Sequence, residues 1–383
     1  MQNDSAYFPK NYADSRQIFL NQIEQLPAPK TIGSWEIPSK TDSDLFVDHV
    51  WLPATEKPEK LFVITSGIHG SETYAGAAIQ RMFFAEIFPQ INRRTTGVFV
   101  VHAMNPYGFK HHQRCTESNI NLNRNFSVSG EIFRRKDETS AKLSERFLDR
   151  NPVSSMRSRL MDSMTMKNGE PFFDEYPLDD IVKGLIPGQF EFVENWEFGG
   201  LKAEPQTKFF IERLSQLMPD FKDVIGFDLH TGLGDRNRLH LLTDGPGSPS
   251  INKSLFAELF FPQEDAEIYA FTPPTAKGFY PVHGALNSAF GELAKPEQRV
   301  CSITMEFGTF GHSMKAQLDG LNCFAVAHQG QMHGFANKDI EKKILSDNFE
   351  RSRPASAEWE QAVVQASRGL FLKVLSRSGV SRF

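Results

Sequence analysis

Two hydrophobic rhythms alternate along the chain. Leu61–Thr65 (LFVIT) is a continuous apolar run of strand length, and a Gly-rich turn follows it. Residues 73–88 (TYAGAAIQRMFFAEIF) then place apolar side chains at helical spacing, with Ala and Met favouring a helix. Gly97–Met104 (GVFVVHAM) reads as a second buried strand and closes at the turn pair Asn105-Pro106. Strand, helix, strand at this pitch predicts a crossover unit and a largely parallel sheet. A helix over Gln206–Leu217 and strands over 224–230 (VIGFDLH), 238–244 (RLHLLTD) and 300–307 (VCSITMEF) extend the alternation. The expected fold class is α/β: a single domain with a mixed, mostly parallel central sheet flanked by helices.

Three stretches stand outside that rhythm. Residues 1–60 read as a leading segment, with a helix near Ser15–Leu26 and Pro-punctuated short strands around Leu45–Leu52. Residues 127–205 carry mixed charges, a Met cluster (Met156, Met161, Met164, Met166) and a GQF…FGG run. They are read as a long excursion from the sheet rather than a separate domain. Residues 340–383 read as a helical tail, a single amphipathic helix. No repeat, low-complexity tract or linker divides the chain, so residues 1–383 are expected to form one domain.

Composition narrows the function classes. A net charge of −5 over 383 residues argues against a broad nucleic-acid surface, which needs a basic stripe. With 40% hydrophobic and 23% charged residues the chain is an ordinary globular one, not a disordered one. The longest apolar runs are strand-length, far from the ~20 residues of a membrane span. The first residues show no basic segment followed by an apolar core. Cys115, Cys301 and Cys323 are widely spaced and form no CxxC, so reduced thiols in a cytoplasmic protein are expected. The 34 Phe against 7 Tyr and 4 Trp read first as core filler, with an aromatic-lined pocket as the alternative.

Chemistry concentrates at strand ends. His69 and Glu72 lie in the turn after LFVITSGI, where both side chains can aim at one point; imidazole nitrogen and carboxylate oxygen are good zinc donors. Open α/β sheets place ligands beyond the carboxyl ends of their strands. The alternative is a surface turn whose His caps the next helix. His230 ends another apolar run, VIGFDLH, and is either a third donor or a buried His satisfied by a backbone carbonyl. Two His and one Glu leave a tetrahedral position for water, as a hydrolytic zinc site requires. Glu306 closes VCSITM, where a carboxylate is costly to bury without a task or a partner. It is either a general base and acid beside an activated water or an Arg-paired structural carboxylate. Arg114 can steady an oxyanion, and Asn123 with Arg124 can hold a substrate carboxylate, unless their stretch is a solvated loop. A second ion near Asp228, Asp235 and His240 is conceivable, but Asp228 is better read as an acceptor orienting an imidazole.

In this order HGSE, NPYG, NLNRNF, DLHTG and MEFGT resemble the zinc carboxypeptidase superfamily over roughly residues 60 to 310. More narrowly, DLFVDHVWLP, SGIHGSETYAG, GFDLHTGLG and EFGT resemble a bacterial branch of it. The resemblance implies one zinc ion held by His69, Glu72 and His230. It also implies Glu306 as general base and acid, and Arg114 as the carbonyl-polarising group. Asn123 and Arg124 would then anchor the terminal carboxylate of a short peptide. For the family's substrate-contacting tyrosine, Tyr280 is the candidate and Tyr269 the alternative. Arg114 lies only nine residues before Asn123, a spacing more like the deacylase branch (aspartoacylase, succinylglutamate desuccinylase). A small N-acyl amino acid is therefore the alternative substrate, and a catalytically silent binding protein the reading from another class. Neither nucleic acid nor membrane is expected as a partner, and oligomeric state is left open.

Overall fold

The central sheet grows from buried β-branched and aromatic runs at the middle of the chain. The computed structural model describes residues 4–243, 248–273, 276 and 282–381. Its strands are β1 (Thr31–Glu36), β2 (Phe46–Leu52), β3 (Lys60–Ser66), β4 (Thr96–His102), β5 (Met164–Lys167), β6 (Glu170–Phe173), β7 (Tyr176–Pro177), β8 (Asp223–Gly232), β9 (Leu239–Leu242), β10 (Tyr269–Thr272) and β11 (Arg299–Gly308). Eight of them form one sheet in the order β1-β2-β4-β3-β8-β11-β9-β10, and β5, β6 and β7 form a separate three-stranded sheet. The middle strands β4, β3, β8 and β11 are mutually parallel, while β1, β2 and β9 join antiparallel to their inner neighbours. The sheet is mixed with a parallel centre, as expected. Strands covered on both faces are largely apolar, which is why β3 reads as an unbroken run and β8 is interrupted only toward the site, at Asp228 and His230.

The helices are α1 (Tyr12–Glu24), α2 (Thr73–Met82), α3 (Pro106–His111), α4 (Glu138–Phe147), α5 (Arg159–Asp162), α6 (Leu178–Leu185), α7 (Pro205–Leu217), α8 (Lys253–Leu259), α9 (Leu286–Leu293), α10 (Met314–His333), α11 (Lys338–Ser352) and α12 (Ala357–Arg377). The helix expected over 73–88 stops as α-helix at Met82; a π-turn covers Phe83–Ile87, ahead of Pro89, which removes an amide donor. The tail expected as one helix is two. Asn337 and Ser356 cap α11 and α12, and Pro354 between them denies the preceding residue a helical conformation. α10 was not expected at all.

Most buried Phe lie in one large core on both faces of the sheet. The stretch 127–205 builds a smaller cluster of its own, with Leu143, Phe147, Leu160, Phe173, Ile181 and Trp196, closed by Ala325 of α10. All three cysteines are buried and unpaired. No helix among the described residues is long and apolar enough to cross a membrane.

Candidate metal centre and its cleft

β3 delivers the chain to the carboxyl edge of the sheet, and the following turn carries His69 and Glu72. A Cβ on Gly70 would lie 1.9 Å from the carbonyl carbon of Gly108, so only glycine lets this turn seat against α3. α3 is set by the NPYG motif: Asn105 Oδ1 accepts from the Gly108 N–H (2.9 Å), and Asn105 Nδ2 donates to the Arg114 carbonyl (3.0 Å). That motif therefore brackets both the HGSE turn and Arg114.

The donors meet because β3, β8 and β11 are neighbours whose carboxyl ends share an edge. His69 Nδ1 lies 2.9 Å from Glu72 Oε1, and His230 Nδ1 lies 3.1 Å from Glu72 Oε2. The far nitrogens are held from behind: His69 Nε2 is 3.1 Å from Asn121 Oδ1, and His230 Nε2 is 2.6 Å from Asp228 Oδ2. Asn121 Oδ1 also accepts from the Asn123 N–H while its Nδ2 donates to Glu197, which fixes the amide's orientation. Both partners are acceptors, so with a metal ion bound each imidazole would keep its proton on Nε2 and offer the Nδ1 lone pair to the ion. One ligand atom from each of the three residues lies within 4.8 Å of the others, and all three side chains are buried.

Electrostatics fit a cation at this point. Burial, then the Arg114 charge, pushes His69 down to about 4, so it is neutral and able to ligate at neutral pH. Burial works against the Glu72 carboxylate, but His69 and His230 outweigh it and hold it below the ordinary carboxylate range. Burial likewise opposes charge on His230, yet Asp228 and Glu72 raise its pKa well above the usual value. A divalent ion would supply the positive charge that these carboxylates draw from the imidazole. The donor set of two imidazoles and one carboxylate suits zinc.

Glu306 pairs in register with His230 on the adjacent parallel strand. Its Oε1 accepts from the Leu233 N–H at 2.8 Å, and burial, followed by the Glu72 charge, pushes its pKa up to about 8. Arg114 Nη1 lies 3.2 Å from His69 Nδ1 and 3.4 Å from Glu72 Oε1, while its Nε donates to Glu197 Oε1 at 3.2 Å. The cleft in front of these groups encloses about 310 Å³ and is lined by Glu306, Arg114, Asn123 and Arg124 as well as the three donors. Asn123 accepts from the Leu286 N–H through its Oδ1 (3.0 Å). Arg124 is only 1% exposed and is ion-paired to Glu197 at 2.8 Å. Tyr280 lies outside the described residues. Tyr269 is fully buried in β10 with its hydroxyl 3.4 Å from Asp265, away from the cleft.

A second group, Asp235, His240 and His312, also brings ligand atoms within 4.8 Å. There His240 Nε2 accepts from the Asp235 N–H (3.1 Å) and Nδ1 meets Thr272 Oγ1 (2.8 Å), so both ring nitrogens are engaged. Asp228 belongs to the first centre, bonded to His230 and to the Thr65 hydroxyl (2.7 Å).

Sequence reasoning missed Glu197 and Arg351. Glu197 sits between buried Trp196 and Phe198, but Glu194 and Asn195 just before them leave no apolar run of the kind that marks Glu306. Arg351 lines the cleft from α11, in a tail read only as a helix.

Fold and site together define an α/β protein with a candidate metal centre at the carboxyl edge of its parallel strands. The chain belongs to the family described as a protein of unknown function, DUF2817, which matches residues 8–366. No curated protein matches the sequence. Among solved structures it is similar to bovine thrombin-activatable fibrinolysis inhibitor in complex with tick carboxypeptidase inhibitor, at 15% identity and a TM-score of 0.44, covering 88% of this chain and 99% of that one. It is also similar to carboxypeptidase A from Helicoverpa armigera (11% identity, TM-score 0.49, 91% of this chain and 74% of that). A third likeness is to the metallo-carboxypeptidase from Burkholderia cenocepacia (14%, TM-score 0.40, 85% of this chain and 70% of that). These are distant likenesses, and the chemistry of the site stands on its own side chains.

Proposed function

We propose that the protein is a zinc-dependent, carboxypeptidase-like hydrolase that cleaves an amide bond near the free carboxylate of a short peptide. The observation that carries this reading is the convergence of His69, Glu72 and His230, with both Nδ1 atoms turned to one point and both Nε2 atoms held from behind. A bound zinc ion supplies Lewis-acid polarisation and acidifies water. Glu306 takes the proton of the attacking water and returns it to the leaving nitrogen; a carboxyl whose pKa is raised toward neutrality is suited to both transfers. Arg114 donates to the carbonyl oxygen as charge develops on it. Asn123 and Arg124 border the bound substrate, Arg124 braced by Glu197, and Tyr280 is proposed as the tyrosine that contacts it.

The cleft supports a small substrate with an apolar side chain. Its walls include Leu178, Val182 and Ile186 from the excursion and Leu321 and Phe324 from α10. Three buried free thiols support the cytoplasm as the compartment. A second reading, an N-acyl amino-acid deacylase with the same centre, is favoured by the nine-residue spacing of Arg114 and Asn123.

The test combines metal analysis with turnover. Purified protein is expected to hold about one equivalent of zinc and to release an amino acid from dipeptides faster than from N-acetyl amino acids. Faster release from the N-acyl compounds selects the deacylase. If the protein neither retains zinc nor cleaves either class, the enzyme reading is wrong and a binding protein remains.

A further inference from the structure

We infer that Arg351 on α11, rather than Arg124, receives the carboxylate of the substrate. The inference rests on the proposed amide substrate and names the group that recognises its charged end.

Among the described residues three arginines line the cleft: Arg114, Arg124 and Arg351. The first two are committed. Arg124 donates through Nε and Nη2 to the Ile186 carbonyl (3.2 and 2.8 Å), through Nη1 to the Asn123 carbonyl (2.9 Å) and through Nη2 to Glu197 (2.8 Å). A guanidinium has five N–H groups, so that side chain is nearly saturated by protein. Arg114 is shared between Glu72 and Glu197.

Arg351 differs on each count. Among the described residues it has no carboxylate within ion-pair distance; its guanidinium donates to the Ala316 carbonyl at 3.2 Å and rests over the Phe310 ring at 4.9 Å. It packs across Gly320, where a Cβ would come within 2.5 Å of Nη2. Burial draws its pKa below the ordinary arginine value, and the more distant Asp319 charge offsets only part of that. Most of its donors are thus uncommitted on a cleft wall, and a planar fork of that kind matches a carboxylate in bidentate fashion.

Its placement is tied to the metal centre. The next residue, Ser352, meets Ser71 through its hydroxyl (2.8 Å) and accepts from the Thr231 hydroxyl through its carbonyl (2.6 Å). Ser71 adjoins Glu72, and Thr231 adjoins His230, so the end of α11 is fastened to both donor segments.

Binding separates this assignment from turnover. Titration calorimetry of the zinc-loaded protein with N-acetyl-leucine and with its carboxamide is expected to favour the acid by 10-fold or more. Arg351→Gln is expected to lose about 10- to 100-fold in affinity for the acid, the size of a charge-assisted contact, and little for the carboxamide. Arg351→Lys, which keeps the charge without the fork, is expected to recover part of the loss and is the second variant should Arg351→Gln fold poorly. A merely structural arginine would lower affinity for both ligands alike. The inference is overturned if Arg351→Gln binds the acid as the wild type does, or if the wild type does not distinguish acid from carboxamide. Failure of the hydrolase reading looks different: preference for the acid persists, but neither wild type nor Glu306→Gln turns substrate over.

Discussion

Glu197 holds the cleft together from beneath. Its carboxylate, 1% exposed, joins Arg114, Arg124 and Asn121, and although burial works to raise its pKa, the two arginines outweigh that and lower it. Removing one member of a buried pair leaves an uncompensated charge, so Glu197→Gln is expected to cost about 3–5 kcal/mol. Urea unfolding measures it, and a loss under 1 kcal/mol would mean water already reaches Arg124. Around the centre itself, Asp228→Ala and Asn121→Ala remove the acceptors behind His230 and His69. Each should weaken zinc binding by about 10- to 100-fold in chelator competition while leaving the ligands in place. Glu306→Gln is expected to keep its zinc and lose about 10²- to 10⁴-fold in turnover. His230 and Glu306 were legible because each ends an apolar strand run. Glu197 has only Trp196 and Phe198 as apolar neighbours, in a stretch of mixed charge without strand rhythm, so the sequence does not mark it. Arg351 had no local signature, since an arginine on a helix is ordinary until its lack of a counter-ion is seen.

Among the elements, the parallel strands were the most legible, because burial on both faces leaves little room for polar interruptions. α10 escaped notice for a related reason. Its side chains divide between two clusters, Ala325 toward the excursion and Val326 with Ala327 toward a third small core, so no single stripe marks its face. The HGSE turn shows how an element constrains a site. Gly70→Ala drives a Cβ into the backbone of α3, and the shift must reach His69 and Glu72 on either side. Loss of both stability and zinc affinity is expected, read by thermal unfolding with and without zinc; unchanged affinity would show that α3 yields without moving the donors.

For the whole molecule we propose that residues 1–383 unfold as one domain, since α10 contributes to the excursion's cluster as well as to the cleft wall. Differential scanning calorimetry should give one transition, raised by zinc; two separate transitions would divide the excursion from the sheet. Saturating zinc at about 100 times its dissociation constant adds about 2.7 kcal/mol, and a chelator should reverse it. Acid should weaken the fold through His102, which is buried between Gln80 Oε1 (3.0 Å) and Ser15 Oγ (3.1 Å) and pushed down to about 3 by burial, with the Arg16 charge adding to the shift. The unfolded chain binds that proton near pH 6.5 and the folded one does not, so stability falls as pH drops below 6.5, by about 1.4 kcal/mol per unit, until the folded value is reached. Denaturant midpoints at pH 7.5, 6 and 5 measure the slope, and His102→Gln should reduce it by about 1.4 kcal/mol per unit, the share of one proton.

The bonds from Ser352 to Ser71 and Thr231 carry a consequence for biosynthesis. Metal donors are complete once residue 230 has left the ribosome, yet the wall that α10 and α11 supply arrives more than eighty residues later. A nascent chain therefore has the parts to hold an ion well before it has a finished compartment for a substrate. On the hydrolase reading, turnover would wait for Glu306 and for the wall that α10 and α11 supply.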